Sequence, residues 1–165
     1  MRRGCEWFTN RAESIWKSQP GRSMLLLVPQ GCDETSAAEE VISWTSRNFK
    51  PPKKYNAYLP ICLRVTSDSI ESSEHFAITI ARKISRKLNI PLELEDGDFP
   101  SDILQNAVEA ALNKSYFPIL IIERFHAFAM IPDWGMGSVL SRMRSLEHAG
   151  QLTTLTLPDS SYLGF

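Results

Sequence analysis

MLLLVPQGCDETSAAEEVISW, residues 24–44, is the stretch whose reading decides the fold. Met24-Leu25-Leu26-Leu27-Val28 is an unbroken apolar run, as expected of a strand buried on both faces of a parallel sheet. Pro29-Gln30-Gly31 breaks the run. Thr35-Ser36 can start a helix, on which Ala38, Val41, Ile42, Thr45 and Phe49 recur along one face.

Strand, short loop and helix have the layout of a phosphate-binding loop without its chemistry. In the working pattern GxxxxGK[ST], glycines let backbone N–H groups wrap the phosphates, the lysine neutralises them and the hydroxyl holds magnesium. In this register the first glycine is Val28, the second is Asp33 and the lysine is Glu34; Thr35 alone keeps the required chemistry, with Pro29 and Gly31 between. Glu34 puts a negative charge where a triphosphate would bring several more. Such charges, a few ångströms apart in a partly dry site, repel by roughly several kcal/mol. The loop therefore predicts no productive nucleotide. The plainer alternative is an ordinary strand-to-helix connection whose acidic first turn suits the helix dipole.

Composition bounds the remaining classes. The chain has 165 residues, 43% hydrophobic and 22% charged, which suits one domain with a proper core. A net charge of −1 gives no global electrostatic case for nucleic acid or membrane. The apolar runs are too short to span a bilayer, and no apolar signal core follows Arg2-Arg3, so a cytoplasmic location is expected. Cys5, Cys32 and Cys62 are odd in number and scattered, against a disulfide framework or a zinc site. His75, His126 and His148 have no ligand spacing and read as surface or packing residues.

Along the chain, Phe8–Trp16 reads as a short helix capped by Thr9 or Asn10, ended by the turn Ser18-Gln19-Pro20-Gly21. Tyr58–Val65 is a second strand, placed near an edge by Pro60. Asp68 or Ser69 can cap a long helix to about Leu88, with Ala77, Ile80, Ala81, Ile84 and Leu88 as its apolar stripe. Arg82, Lys83, Arg86 and Lys87 lie mostly off that stripe. They are either a basic face for nucleic acid or a solvated face with cations near the helix C-terminus. Glu93, Glu95, Asp96 and Asp98 form an acidic loop that lacks the ligand spacing of a calcium loop. A helix from Pro100 carries Ile103, Leu104, Ala107, Val108, Ala111 and Leu112 on one side. Phe117–Ile122 is a near-continuous apolar run and should be a central strand, with Glu123-Arg124-Phe125-His126 at its carboxyl end, the usual ligand side of such a sheet. A further helix to about His148, closed by Gly150, and a fourth strand over Leu152–Leu157 complete the pattern. Strands alternating with helices predict an α/β, three-layer αβα sandwich with a mostly parallel central sheet. The expected organisation is one domain over 1–165, with a helix and linker in 1–20 and the core in 22–165.

In order and spacing the chain resembles the AAA+ and STAND-type P-loop ATPases, above all the origin-recognition and bacterial AAA-ATPase branch. FTNRAESIW (8–16) is similar to their opening helix, the loop at 24–36 sits at the Walker A place, and FPILIIERF (117–125) at the Walker B place. Leu140–Ser161 looks like the helix and strand that end in the sensor-1 polar residue, here Ser160. The resemblance implies an aspartate that organises magnesium and a glutamate that polarises water. This chain has Glu123 and Arg124 instead. Glu123 can still reach a metal, but Arg124 stays protonated and is no general base. Glu34 and Arg124 are either an ion pair across the vacated site or two positions that drifted independently. The family's fifth strand and lid are not found in the sequence, which would leave the edge beside the first strand open to a partner or a second copy.

Together these features predict a catalytically inactive scaffold or protein-interaction module with no cofactor and a protein partner or homo-oligomer. The resemblance suggests a setting in a bacterial machine acting on DNA, such as a transposition, mobile-element or defence system. The alternatives are an atypical ATPase, binding ATP and magnesium through backbone N–H groups, Thr35 and Glu123, and a DNA-binding module using the four basic residues.

Overall fold

The computed structural model describes residues 13–19, 21–26, 34–47, 51, 55–64, 70–95, 97–123 and 139–157. In chain order these form helix α1 (13–18), strand β1 (Met24–Leu25), α2 (Glu34–Arg47), β2 (Ala57–Leu63), α3 (Ser73–Leu88), α4 (Pro100–Asn113), β3 (Tyr116–Glu123), α5 (Val139–His148) and β4 (Thr153–Leu157). The strands make one sheet in the order β1-β4-β3-β2, and every pairing is parallel.

β3 is central, and all but the first of its residues are buried. This is why its sequence is apolar at successive rather than alternate positions. Its odd-numbered side chains Phe117, Ile119 and Ile121 join Trp16, Val41, Trp44, Leu155 and Leu157 on one face. Its even-numbered Leu120 and Ile122 join α3, α4 and α5 on the other. The result is the expected three-layer sandwich, with α1 and α2 on one side of the sheet and three helices on the other.

β2 pairs only with β3 among the described residues, as Pro60 suggested. Proline has no N–H to give a ladder and belongs at an edge. The Pro60 carbonyl is taken instead by Lys87 Nζ from α3. A lysine across an open edge is one way sheets are kept from pairing with other chains.

Two expectations are corrected. The apolar run at 24–28 implied a strand buried on both faces. Leu26 is buried, but Met24 is half-buried and Leu25 is 60% exposed. Among the described residues β1 pairs only with β4, and a strand with one neighbour is left open on a flank. The long helix was expected to be capped by Asp68 or Ser69. It starts at Ser73, where the Ser72 hydroxyl accepts the His75 N–H at 3.1 Å. Residues 68 and 69 lie outside the described residues. Of the segment read as a leading helix, residues 13–18 are helical and Trp16 is 1% exposed, while residues 1–12 lie outside the described residues. Residues 21–23 are also tied to β4, through Thr153 Oγ1 donating to the Gly21 carbonyl and Thr154 N–H donating to Ser23 Oγ.

The apolar stripes of α3 and α4 face inward as read, and Gly150 follows α5 with φ of +70°, a left-handed conformation that glycine takes without a Cβ penalty. His75 lies in the first turn of α3 and His148 in the last turn of α5, both exposed.

Candidate functional site

All four strands are parallel, so they end at one edge of the sheet, at Leu25, Leu63, Glu123 and Leu157. This carboxyl edge is where open α/β sheets place their ligands. Glu123 is the last residue of central β3 and pairs in register with Leu157 of β4. Strand alternation puts its side chain on the α2 face, the same side as Ile119 and Ile121.

Glu123 is 3% exposed, and a buried carboxylate needs a partner. Two come from β2. Arg64 Nε donates to Oε2 in an ion pair, and the Cys62 thiol donates to the same oxygen at 3.8 Å. The register explains the contacts. Leu63 lies opposite Ile122, so the next residue, Arg64, falls beside Glu123, and Cys62 precedes it on the same face. The Arg64 side chain is 38% exposed and that of Glu123 4%, so the guanidinium closes over the carboxylate from the solvent side.

The sequence reading missed Arg64. The signal was available: a lone cation directly after an apolar strand run, level with an acid that ends the neighbouring strand. Using it required the register, which the sequence does not state.

Burial pushes the Cys62 thiol up to about 11, and the neighbouring Glu123 charge adds to this, while Arg64, Lys83 and Lys87 pull the other way. At pH 8 such a thiol holds about 100-fold less thiolate than an ordinary one. Cys62 is thus expected to be alkylated by iodoacetamide about 100-fold more slowly in the folded chain than in urea, measured site by site by mass spectrometry. Equal rates would mean that the thiol is not held against Glu123. The stability consequence has a definite sign. Between the ordinary thiol range and about 11 the unfolded chain has lost this proton and the folded chain keeps it. Stability therefore falls as pH rises through that window, by about 2–3 kcal/mol in full, and Cys62→Ser is expected to flatten the decline.

The other candidate residues separate. Arg82 and Arg86 are exposed on α3, whereas Lys83 is half-buried and Lys87 bonds the Pro60 carbonyl. Burial lowers the Lys87 ammonium below its ordinary value. The four cations therefore form two rows, one of them turned to the β2 edge, rather than one continuous basic face. Pro29, Gly31, Asp33, Arg124, His126 and Ser160 lie outside the described residues. Glu34 and Thr35 fall in the first turn of α2, but their side chains are likewise outside, so the Glu34–Arg124 pair has no described geometry. No group of three or more His, Cys, Asp or Glu among the described residues is placed to hold a metal ion.

The Glu123 carboxylate already holds a guanidinium, and a divalent cation would have to displace Arg64 or share its oxygen.

A parallel sheet in the order β1-β4-β3-β2, helices on both faces and an acid ending the central strand define a three-layer αβα domain. The chain belongs to the novel STAND NTPase 2 family, whose profile matches residues 57–163. That match begins at β2, after the loop at the Walker A place. Among solved structures, that of the Aeropyrum pernix ORC2 protein, determined as ADPNP–ADP complexes, is similar with a TM-score of 0.65 at 15% identity. The similarity covers 94% of this chain and 40% of that one, so the chain spans less than half of that protein's length. No curated protein matches the chain by sequence. No helix among the described residues is long and apolar enough to cross a membrane.

Proposed function

We propose that this domain keeps the P-loop ATPase fold without its nucleotide chemistry and serves as a protein–protein interaction or scaffold module. The observation that carries this reading is the Arg64–Glu123 pair: the acid at the catalytic edge is neutralised from within the sheet. The charge changes at Glu34 and Arg124 support it, because each opposes the role its position has in a working site. The flank of β1 that no described strand covers supports the interaction half. There Leu25 is exposed, and a groove of about 280 Å³ runs between β1 and Met143, Arg144 and Glu147 of α5. A place in a bacterial assembly acting on DNA is part of the proposal and rests on the family likeness.

The test is the melting temperature with and without millimolar Mg-ATP, Mg-ADP or Mg-GTP. A ligand at about 100 times its Kd adds about 2.7 kcal/mol, which is several degrees for a chain of this size. The wild type is expected to show no shift, and Asp33→Gly/Glu34→Lys to gain one. A clear shift in the wild type would overturn the proposal and turn attention to Thr35 and Glu123.

A further inference from the structure

On the opposite face of the sheet from Glu123, α3 and α4 pack together, and the segment 90–94 lies beside them. The groove so formed is about 390 Å³. Its floor is apolar and low, with Ala81 and Ile84 on α3 and Ile103 and Ala107 on α4. Small residues at the floor leave room for side chains from outside. Its wall is Ile90-Pro91-Leu92-Glu93-Leu94, in which Leu92 is 38% and Leu94 39% exposed; Phe99 stands nearby at 71%. Residues 91–94 make no hydrogen bond to the described residues, so these leucines are not held out by the fold's own ladders.

The charge of the groove selects among occupants. Its charged lining residues are Glu93 and Asp98, both acidic, and the exposed Glu95 stands next along the chain. Asp98 turns one oxygen to the Glu95 N–H at 2.8 Å. Arg82 and Arg86 stand further round α3 and do not line the groove. An apolar trough with an acidic wall repels nucleic acid and favours apolar side chains flanked by cations.

We infer that the groove between α3 and α4 docks a segment of a partner protein in which apolar residues alternate with Lys or Arg. The acidic loop of the sequence is then the specificity element of this surface, with Leu92 and Leu94 as contacts and Glu93 as the charge that reads the partner. This deepens the interaction-module reading and rests on it, but it is independent of whether nucleotide binds on the other face.

The probe is a synthetic Leu/Lys-alternating peptide of twelve residues, with a Leu/Glu peptide as its counterpart, titrated into the isotopically labelled full chain by NMR and fluorescence anisotropy. The Leu/Lys peptide is expected to bind, shifting amides of Ala81–Ser85, Ile90–Leu94 and Ile103–Ala110, and the Leu/Glu peptide is not. Glu93→Lys and Leu92→Ser/Leu94→Ser change exposed residues and are expected to keep the melting temperature while weakening binding at least tenfold. The inference is overturned by absence of binding, by shifts centred on the β1 flank or scattered over the surface, or by affinity unchanged in both variants. Self-association lost in these variants would assign the groove to a second copy instead and also overturn it. A nucleotide-dependent melting shift in the wild type leaves this result untouched, so the two proposals fail separately.

Discussion

Replacing Trp16 with alanine is expected to destabilise the fold by about 4 kcal/mol, within the range for emptying a fully buried indole site. Trp16 is 1% exposed. Its ring centroid lies 4.8 Å from that of Trp44 and 5.4 Å from that of Tyr58, both tilted, and its Nε1–H donates to the Arg22 carbonyl at 2.9 Å. Alanine removes the ring contacts and leaves that carbonyl without its indole donor. For a chain of this size the loss corresponds to a fall in melting temperature of about 8–16 °C. Trp16→Phe keeps most of the volume and is expected to cost about half as much. Urea unfolding measures both. A loss under about 1 kcal/mol for the alanine variant would mean that the segment 13–18 is not part of the cooperative unit.

Replacing Arg64 with leucine is expected to cost about 3 kcal/mol. Removing one member of a buried pair leaves the other charge uncompensated, and here the survivor is the deeply buried Glu123. The figure sits at the low end for such pairs because the Arg64 side chain is 38% exposed. The double variant Arg64→Leu/Glu123→Leu is expected to recover most of the loss, since apolar side chains of similar volume often replace a buried pair without net cost. A double variant no more stable than the single one would show that the pair is not what holds the edge of the sheet. The cycle also bears on the vacated-site reading. If Arg64→Leu gains a magnesium-dependent rise in melting temperature, Glu123 can take up a cation once its guanidinium is gone.

Much of the fold was legible because its signals are local. The continuous apolar run of β3 states that the strand is central, and Pro60 states that β2 is an edge. The stripe at Ala77, Ile80, Ala81 and Ile84 states which face of α3 turns inward. These follow from periodicity and from what each residue does to its own backbone. Trp16 was not legible as core, because a tryptophan in a short leading helix reads the same whether it packs on Trp44 or faces solvent.

What the sequence by itself determined was an αβα domain with a parallel sheet, and it led us to expect reversed charges at Glu34 and Arg124. It also showed that an acid persists at the end of the central strand. The sequence named no partner for that acid. Only the tertiary structure decided that Arg64 neutralises it, with Cys62 beside it. The groove over α3 and α4 is local in sequence, lined from Ala81 to Ala110, but how the two helices pack to form it was not stated there. For Glu123 the physical reason is register: in a parallel sheet the neighbours of a residue are fixed by how two distant strands slide against each other. That offset is set by packing on both faces rather than by either strand alone.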